Sequence, residues 1–159
     1  MNNLMIAEPL LRPLRDHVRG HGRANAEAGG FLLGGREMQL ATVLALAEGR
    51  GVDRSRGVFR VSGRAIDQLF TWAEERELRV WAQVHSHPSG SFLSDIDERE
   101  GFRVDGFISA VIPNFSDPPE APSEWGFWRF VDGAWAAIEP ARISGGAGSV
   151  FTFSEDGVR

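Results

Sequence analysis

Cysteine is absent from the 159 residues. That excludes a disulfide framework, a thiolate metal site and a cysteine nucleophile together. Tyrosine is absent as well, so no phenol serves as a general acid. No apolar run approaches the roughly 18 to 20 residues that span a bilayer. The first eight residues lack the charged start and long apolar stretch of a signal peptide. These absences predict a cytoplasmic chain with no membrane partner. Histidine is scarce, limited to His17, His21, His85 and His87, so a bound metal has only these nitrogens and carboxylate oxygens to draw on. A basic stripe is also missing. The net charge is −5 and the arginines are scattered apart from a short run between Arg50 and Arg56, which argues against nucleic acid as the main partner.

What is present is an ordinary globular composition, 42% hydrophobic and 25% charged, at a length suited to one domain with a real core. Leu10, Leu11, Leu14 and Val18 recur at helical spacing from Glu8 to about His21, with Pro9 tolerable in the first turn. Gly29 to Gly35 reads as a short buried strand bracketed by glycines, and Gln39 to Ala47 as a second strand. Glu48 to Arg56 reads as a loop and Val58 to Val61 as a strand. Ser62 then caps a helix carrying Ile66, Leu69, Phe70 and Ala73, which runs roughly to Glu77. Val80 to His85 and Ile108 to Ile112 read as strands, with a proline-rich loop from Pro113 to Glu124. Gly126 to Val131 and Ala134 to Ile138 flank Asp132-Gly133, a hairpin signal. The sum is an α/β domain with a mixed sheet and two or three helices over residues 1–140. A Gly/Ser-rich extension over 141–159 follows, read as a loose tail or an edge strand at Val150 to Phe153.

The chemistry concentrates at His85-Ser86-His87-Pro88. Alternation along a strand points His85 and His87 to one face. Two imidazoles and a carboxylate from the next element make the three-ligand set of a catalytic zinc, with a fourth position open for water. Asp97, in the first turn of a helix capped by Ser94, is placed to swing its carboxylate over the strand end. Asp95 is the fallback ligand. Ser94 beside the metal has a hydroxyl suited to a developing oxyanion, although the Ser94/Asp97 spacing equally suits a plain helix cap and its first-turn acid. Glu27, at the entry to an apolar strand, is a candidate general base, although taken alone it reads more readily as an ordinary exposed acid before a turn. His17 and His21 read as solvent-facing helix residues rather than ligands.

The pattern Glu27…His85-Ser86-His87-Pro88…Ser94-Asp95-Ile96-Asp97 resembles the JAMM motif of the MPN+ (JAB) metalloproteases. Glu27-Ala28-Gly29-Gly30-Phe31-Leu32-Leu33-Gly34 and Trp128 to Trp135 resemble their short prokaryotic branch. The resemblance covers roughly Glu8 to Ile138 and implies a single MPN/JAB-like domain: a mixed, mostly antiparallel sheet flanked by helices, with cytidine-deaminase-like layering. It further implies that His85, His87 and Asp97 ligate Zn2+, that Glu27 is the general base and that Ser94 steadies the tetrahedral intermediate. The implied activity is cleavage of isopeptide or peptide bonds after the C-terminal tail of a ubiquitin-like protein. Partners on this reading are such proteins or their conjugates, and operon-encoded activating and conjugating enzymes. The reading from another class is a metal-free MPN-type scaffold that binds partners without catalysis. One departure from the pattern stands out: five residues separate Pro88 from Ser94 where the family usually has six, a change that a loop between two anchored elements absorbs cheaply.

Overall fold

The computed structural model describes residues 3–159. In chain order the elements are β1 (Met5–Ala7), α1 (Leu11–Arg23) after a single 3-10 turn, β2 (Gly29–Gly35), β3 (Leu40–Ala41), β4 (Val43–Ala47), β5 (Val52–Arg54), β6 (Phe59–Val61), α2 (Gly63–Glu75), β7 (Leu78–Ser86), α3 (Asp95–Glu100), β8 (Ile108–Ile112), β9 (Gly126–Val131), β10 (Ala134–Ala137), β11 (Arg142–Ser144), β12 (Ser149–Ser154) and β13 (Gly157–Val158). No helix among them is long and apolar enough to cross a membrane.

Eight strands form the main sheet in the order β10-β9-β8-β7-β2-β4-β12-β13. Only β7/β8 and β4/β12 pair in parallel, so the sheet is mixed and mostly antiparallel. Its central strands are apolar on both faces because both faces are covered. Leu32, Leu44, Ala82, Val84 and Ile108 point toward α1 and pack with Leu11, Leu14 and Val18. Phe31, Leu33, Val43, Ala45 and Phe153 point toward α2 and pack with Ala65, Leu69 and Ala73. Ser62 caps α2 by accepting from the Ala65 N–H, as its sequence position predicts. Asp132 and Gly133 take positive φ angles of 51° and 80°, which is what a tight two-residue hairpin between β9 and β10 demands.

Three segments differ from the sequence reading. Glu48 to Arg56 is not all loop, since Val52–Arg54 pairs antiparallel with β6. Three residues with one apolar side chain carry too little alternation to register as a strand. Met5–Ala7 is a strand, paired in parallel with β3 and β11. The region after Arg142 is no loose tail: β12 lies parallel against β4 and buries Phe153, and β13 folds back on it, making β12 the last strand but one. Here the partner strand lies about a hundred residues away in sequence, so local pattern carries no sign of the pairing. The end of α2 also comes at Glu75 rather than Glu77, because Glu77 turns the chain with φ 55° before β7.

Gly29 pairs with His85 across β2/β7. A Cβ on Gly29 would lie 2.1 Å from the Val84 carbonyl oxygen and 2.8 Å from the His85 Cα. Gly29→Ala is therefore expected to push β7 off β2 where it carries the histidine. The overpacking cost is about 1–3 kcal/mol. Thermal denaturation reads the loss, and Gly35→Ala, which meets nothing within 4 Å, serves as the control that stays close to wild type.

Candidate metal centre

β7 ends by delivering His85 and, just past the strand, His87; each residue is 4% exposed. α3 brings Asp97. Its Oδ1 lies 3.2 Å from His85 Nε2 and its Oδ2 3.1 Å from His87 Nε2, while the two Nε2 atoms are 3.2 Å apart. The two imidazole nitrogens and the carboxylate thus form a nearly equilateral triangle of groups, one carboxylate oxygen meeting His85 and the other His87. A single proton satisfies one edge of such a triangle, whereas a cation at its centre satisfies all three. Donors about 2.0–2.1 Å from a tetrahedral zinc stand roughly 3.3 Å apart, so the observed edges fit that ion. Glu27 is 4% exposed, and its carboxylate belongs to one cluster with the two imidazoles, the donor atoms within 4.8 Å of one another. The structure therefore brings Glu27, His85, His87 and Asp97 together, and Asp95 is left exposed.

Capping fixes Asp97. The Ser94 Oγ accepts from the Asp97 N–H at 3.1 Å and the Ser94 N–H donates to Asp97 Oδ2 at 3.0 Å, a reciprocal box. The cap and the site are thus one arrangement, because the oxygen that closes the box also faces His87. The five-residue loop suffices for this approach. α3 is fastened from β10, where Trp135 Nε1 donates to the Glu98 carbonyl at 3.1 Å. Burial alone would raise the Asp97 carboxyl. Hydrogen bonds from His85 and His87, with the charge of His85 and the Ser94 N–H, outweigh burial and hold it well below the usual carboxylate range. Burial pushes the Glu27 carboxyl up to about 7, against the pull of His87 and with added repulsion from Asp97.

Several residues escaped the sequence reading. Phe59 stacks on the His85 ring at 6.3 Å and 9°, and the exposed Phe92 meets the His87 ring edge-on at 4.8 Å. The Nδ1 atoms of both histidines are buried with no hydrogen-bond partner among the described residues, so aromatic contacts flank the rings while Asp97 engages them only through Nε2. Arg54 donates to the Glu27 carbonyl at 3.3 Å and the Ala47 carbonyl at 2.9 Å, tying the β5/β6 hairpin to the Glu27 backbone. Ser86 alternates to the face opposite the histidines, and this alternation was the available signal. Its Oγ accepts from the Ala28 N–H at 2.9 Å, and its own N–H donates to the Ala28 carbonyl, also at 2.9 Å. Ser86→Ala strips the Ala28 N–H of its side-chain acceptor in a fully buried position, at a cost of about 1–3 kcal/mol. We expect a lower melting temperature and weakened turnover, since Glu27 adjoins Ala28, with Ser86→Thr restoring both.

A cleft of about 390 Å³ leads to the cluster. It runs between β6 (Phe59, Arg60, Val61) and α3 (Ile96, Asp97, Glu100), with Gln83 and Ser109 also lining it. A more apolar hollow around Phe70, Leu78 and Phe102 contains none of the candidate residues.

Known proteins resemble the chain in sequence and in fold. A family model of prokaryotic homologs of the JAB domain matches residues 7–131. A Sinorhizobium fredii protein described as "Probable metalloprotease" is 30% identical over 108 residues, which is 65% of this chain and 66% of that protein. The chain thus spans just under two thirds of that relative's length. The solution structure of a Desulfitobacterium hafniense protein superimposes with a TM-score of 0.65 at 16% identity, covering 91% of this chain and 93% of the other. The crystal structure of a JAB1/MPN domain protein from Archaeoglobus fulgidus gives 0.55 at 18% identity, covering 89% and 100%. At such identities the structural likeness speaks for the fold, and the family match for descent. The chain belongs to the prokaryotic JAB family and folds as a JAB1/MPN-type domain.

Proposed function

We propose that the chain is a zinc-dependent peptidase or isopeptidase that cleaves after the C-terminal tail of a ubiquitin-like protein. The observation that carries this reading is the convergence of Glu27, His85, His87 and Asp97 at the mouth of a cleft, with donor atoms spaced for one small cation. An N,N,O donor set without thiolate suits zinc in an open, catalytic site. A zinc ion held there supplies Lewis acidity toward water and toward a carbonyl.

The chain's own residues do the rest. His85, His87 and Asp97 fix the ion's position from a strand end and a capped helix. Glu27 takes the proton from the attacking water and delivers it to the departing amine. Ser94 has its oxygen engaged by the Asp97 N–H, and its hydroxyl hydrogen is free to donate to the scissile carbonyl as charge develops on it. The substrate tail lies extended in the cleft between β6 and α3. Among the described residues β6 pairs only with β5, so its second edge offers backbone groups to a strand-like peptide. Dedicated activating and conjugating enzymes are the fitting companions for such an activity.

The test is elemental analysis together with a panel of linear and isopeptide-linked ubiquitin-like fusions. The expected result is zinc that is lost from His87→Ala, and cleavage immediately after the tail by mass spectrometry, abolished by a chelator and restored by zinc. Wild-type protein that takes up no zinc at His85 and His87 after reconstitution overturns the reading and leaves a partner-binding scaffold.

A further inference from the structure

His17 and His21 do not face solvent as their spacing on a polar helix suggests. The His17 side chain is 10% exposed and the His21 side chain 26%. Four residues apart, they lie on one face of α1, with ring centroids 4.8 Å apart. Glu48, at the end of β4, closes the group. Its Oε2 is 2.8 Å from His21 Nε2 and 3.7 Å from His17 Nδ1. The donor atoms of all three residues fall within 4.8 Å of one another, in a cluster separate from the JAB centre.

We propose that His17, His21 and Glu48 form a second metal site, which takes a divalent transition ion of the zinc class and clamps α1 to the end of β4. Two imidazoles and one carboxylate select zinc, cobalt or nickel over magnesium or calcium, which prefer all-oxygen shells. The 2.8 and 3.7 Å separations bracket the roughly 3.3 Å expected between two donors on a tetrahedral zinc. The protonation states suit ligation. Burial, with the charge of His21, holds His17 down to about 4 despite Glu48, so its ring is neutral at pH 7. Burial works against the Glu48 carboxylate, but the His21 hydrogen bond and the nearby Arg54 guanidinium outweigh it and hold the carboxyl below its ordinary value.

Arg54 sets the strength of the site. Its Nη2 stands 3.6 Å from Glu48 Oε2 and is anchored on the Ala47 carbonyl, so it stays beside the ion and repels it. Binding is consequently weaker here than at the His85 centre.

The probe is zinc itself, read by elemental analysis after equilibration and by the thermal midpoint with and without added zinc. Wild type is expected to hold a second ion per chain that His21→Ala and Glu48→Gln each lose. The double variant His85→Ala/His87→Ala, with the JAB centre removed, is expected to retain the ion and to gain about 5 °C or more at zinc concentrations a hundredfold above the dissociation constant. His21 is partly exposed, so its replacement spares the apolar face of α1. A zinc content unaltered by His21→Ala, with a midpoint of the double variant unmoved by zinc, overturns the proposal and leaves an ion-pair network. Zinc that is lost with His21 but not with His85 and His87 supports the second site while removing the catalytic reading, so the two stand or fall separately.

Discussion

Replacing Glu27 by glutamine is expected to lower kcat by about 10²–10⁴-fold while zinc content and melting temperature stay near those of the wild type. The amide keeps the shape of the carboxylate and fills the same buried space, so packing is preserved. What it loses is the ability to accept a proton. Only the ionised carboxylate works as a base, so activity is expected to rise with pH as Glu27 loses its proton. Burial sets that carboxyl at about 7 in the metal-free protein. A cation on His85 and His87 favours the ionised form and pulls it lower. The acidic limb of kcat/KM is therefore expected to have a midpoint no higher than about 7, and that limb is expected to vanish in the glutamine variant. A variant as fast as wild type with zinc retained removes Glu27 from the chemistry.

Asp97→Ala is expected to be at least as damaging, by another route. It takes away the one carboxylate that touches both imidazoles, and with it the third donor to the ion. Dialysed protein is expected to retain no zinc at the JAB centre and no hydrolytic activity. The same oxygen closes the cap of α3, so the alanine variant also loses helix-terminal stability, typically about 0.5–2 kcal/mol. Asp97→Asn separates the two effects, because the amide oxygen still accepts from the Ser94 N–H but is a poor metal ligand. The metal-free protein adds a check by pH. Asp97 is held below its unfolded value, so its ionised form contributes stability above about pH 4. That contribution is lost as the pH falls through the folded value, and it is missing from the alanine variant throughout. Zinc retained by Asp97→Ala, with activity intact, would remove Asp97 from the ligand set.

The parts of this molecule legible in the sequence are those whose cause is local. His85 and His87 share a face because strands alternate, and Ser94 with Asp97 fits a cap because the spacing of a helical turn is fixed. The β9/β10 hairpin is announced by Asp132-Gly133. The clustering of Glu27 with the histidines was readable only through resemblance to a family, because fifty-eight positions separate Glu27 from His85 and no periodicity links them. Residues whose role depends on distant partners were misread or missed. His17 looks like an exposed helical residue until Glu48 arrives from β4, and Ser86 looks like a spacer until Ala28 lies beside it. Phe59 reads as an ordinary strand residue, although its ring covers His85. The same holds for Val52–Arg54, a short strand defined by what it pairs with rather than by what it contains. The strand reading at Val150 to Phe153, by contrast, is realised in β12, and only its partner β4 was hidden.

The pairing of β1 with β11 has a consequence in time rather than in space. Met5 aligns with Arg142 and Ala7 with Ser144, so this small sheet is complete only when segments near the two ends of the described chain meet. Contacts of such long sequence separation are slow to form, because the ordering of everything between them precedes their reward. Glu155, which lines the cleft and accepts from the Ser62 hydroxyl at 2.6 Å, follows the same schedule. During synthesis the two histidines leave the ribosome some seventy residues before Glu155, the last residue to join the lining of their cleft. A nascent chain therefore cannot present the finished cleft, and on the proposed function its activity would be a late event in the life of each molecule.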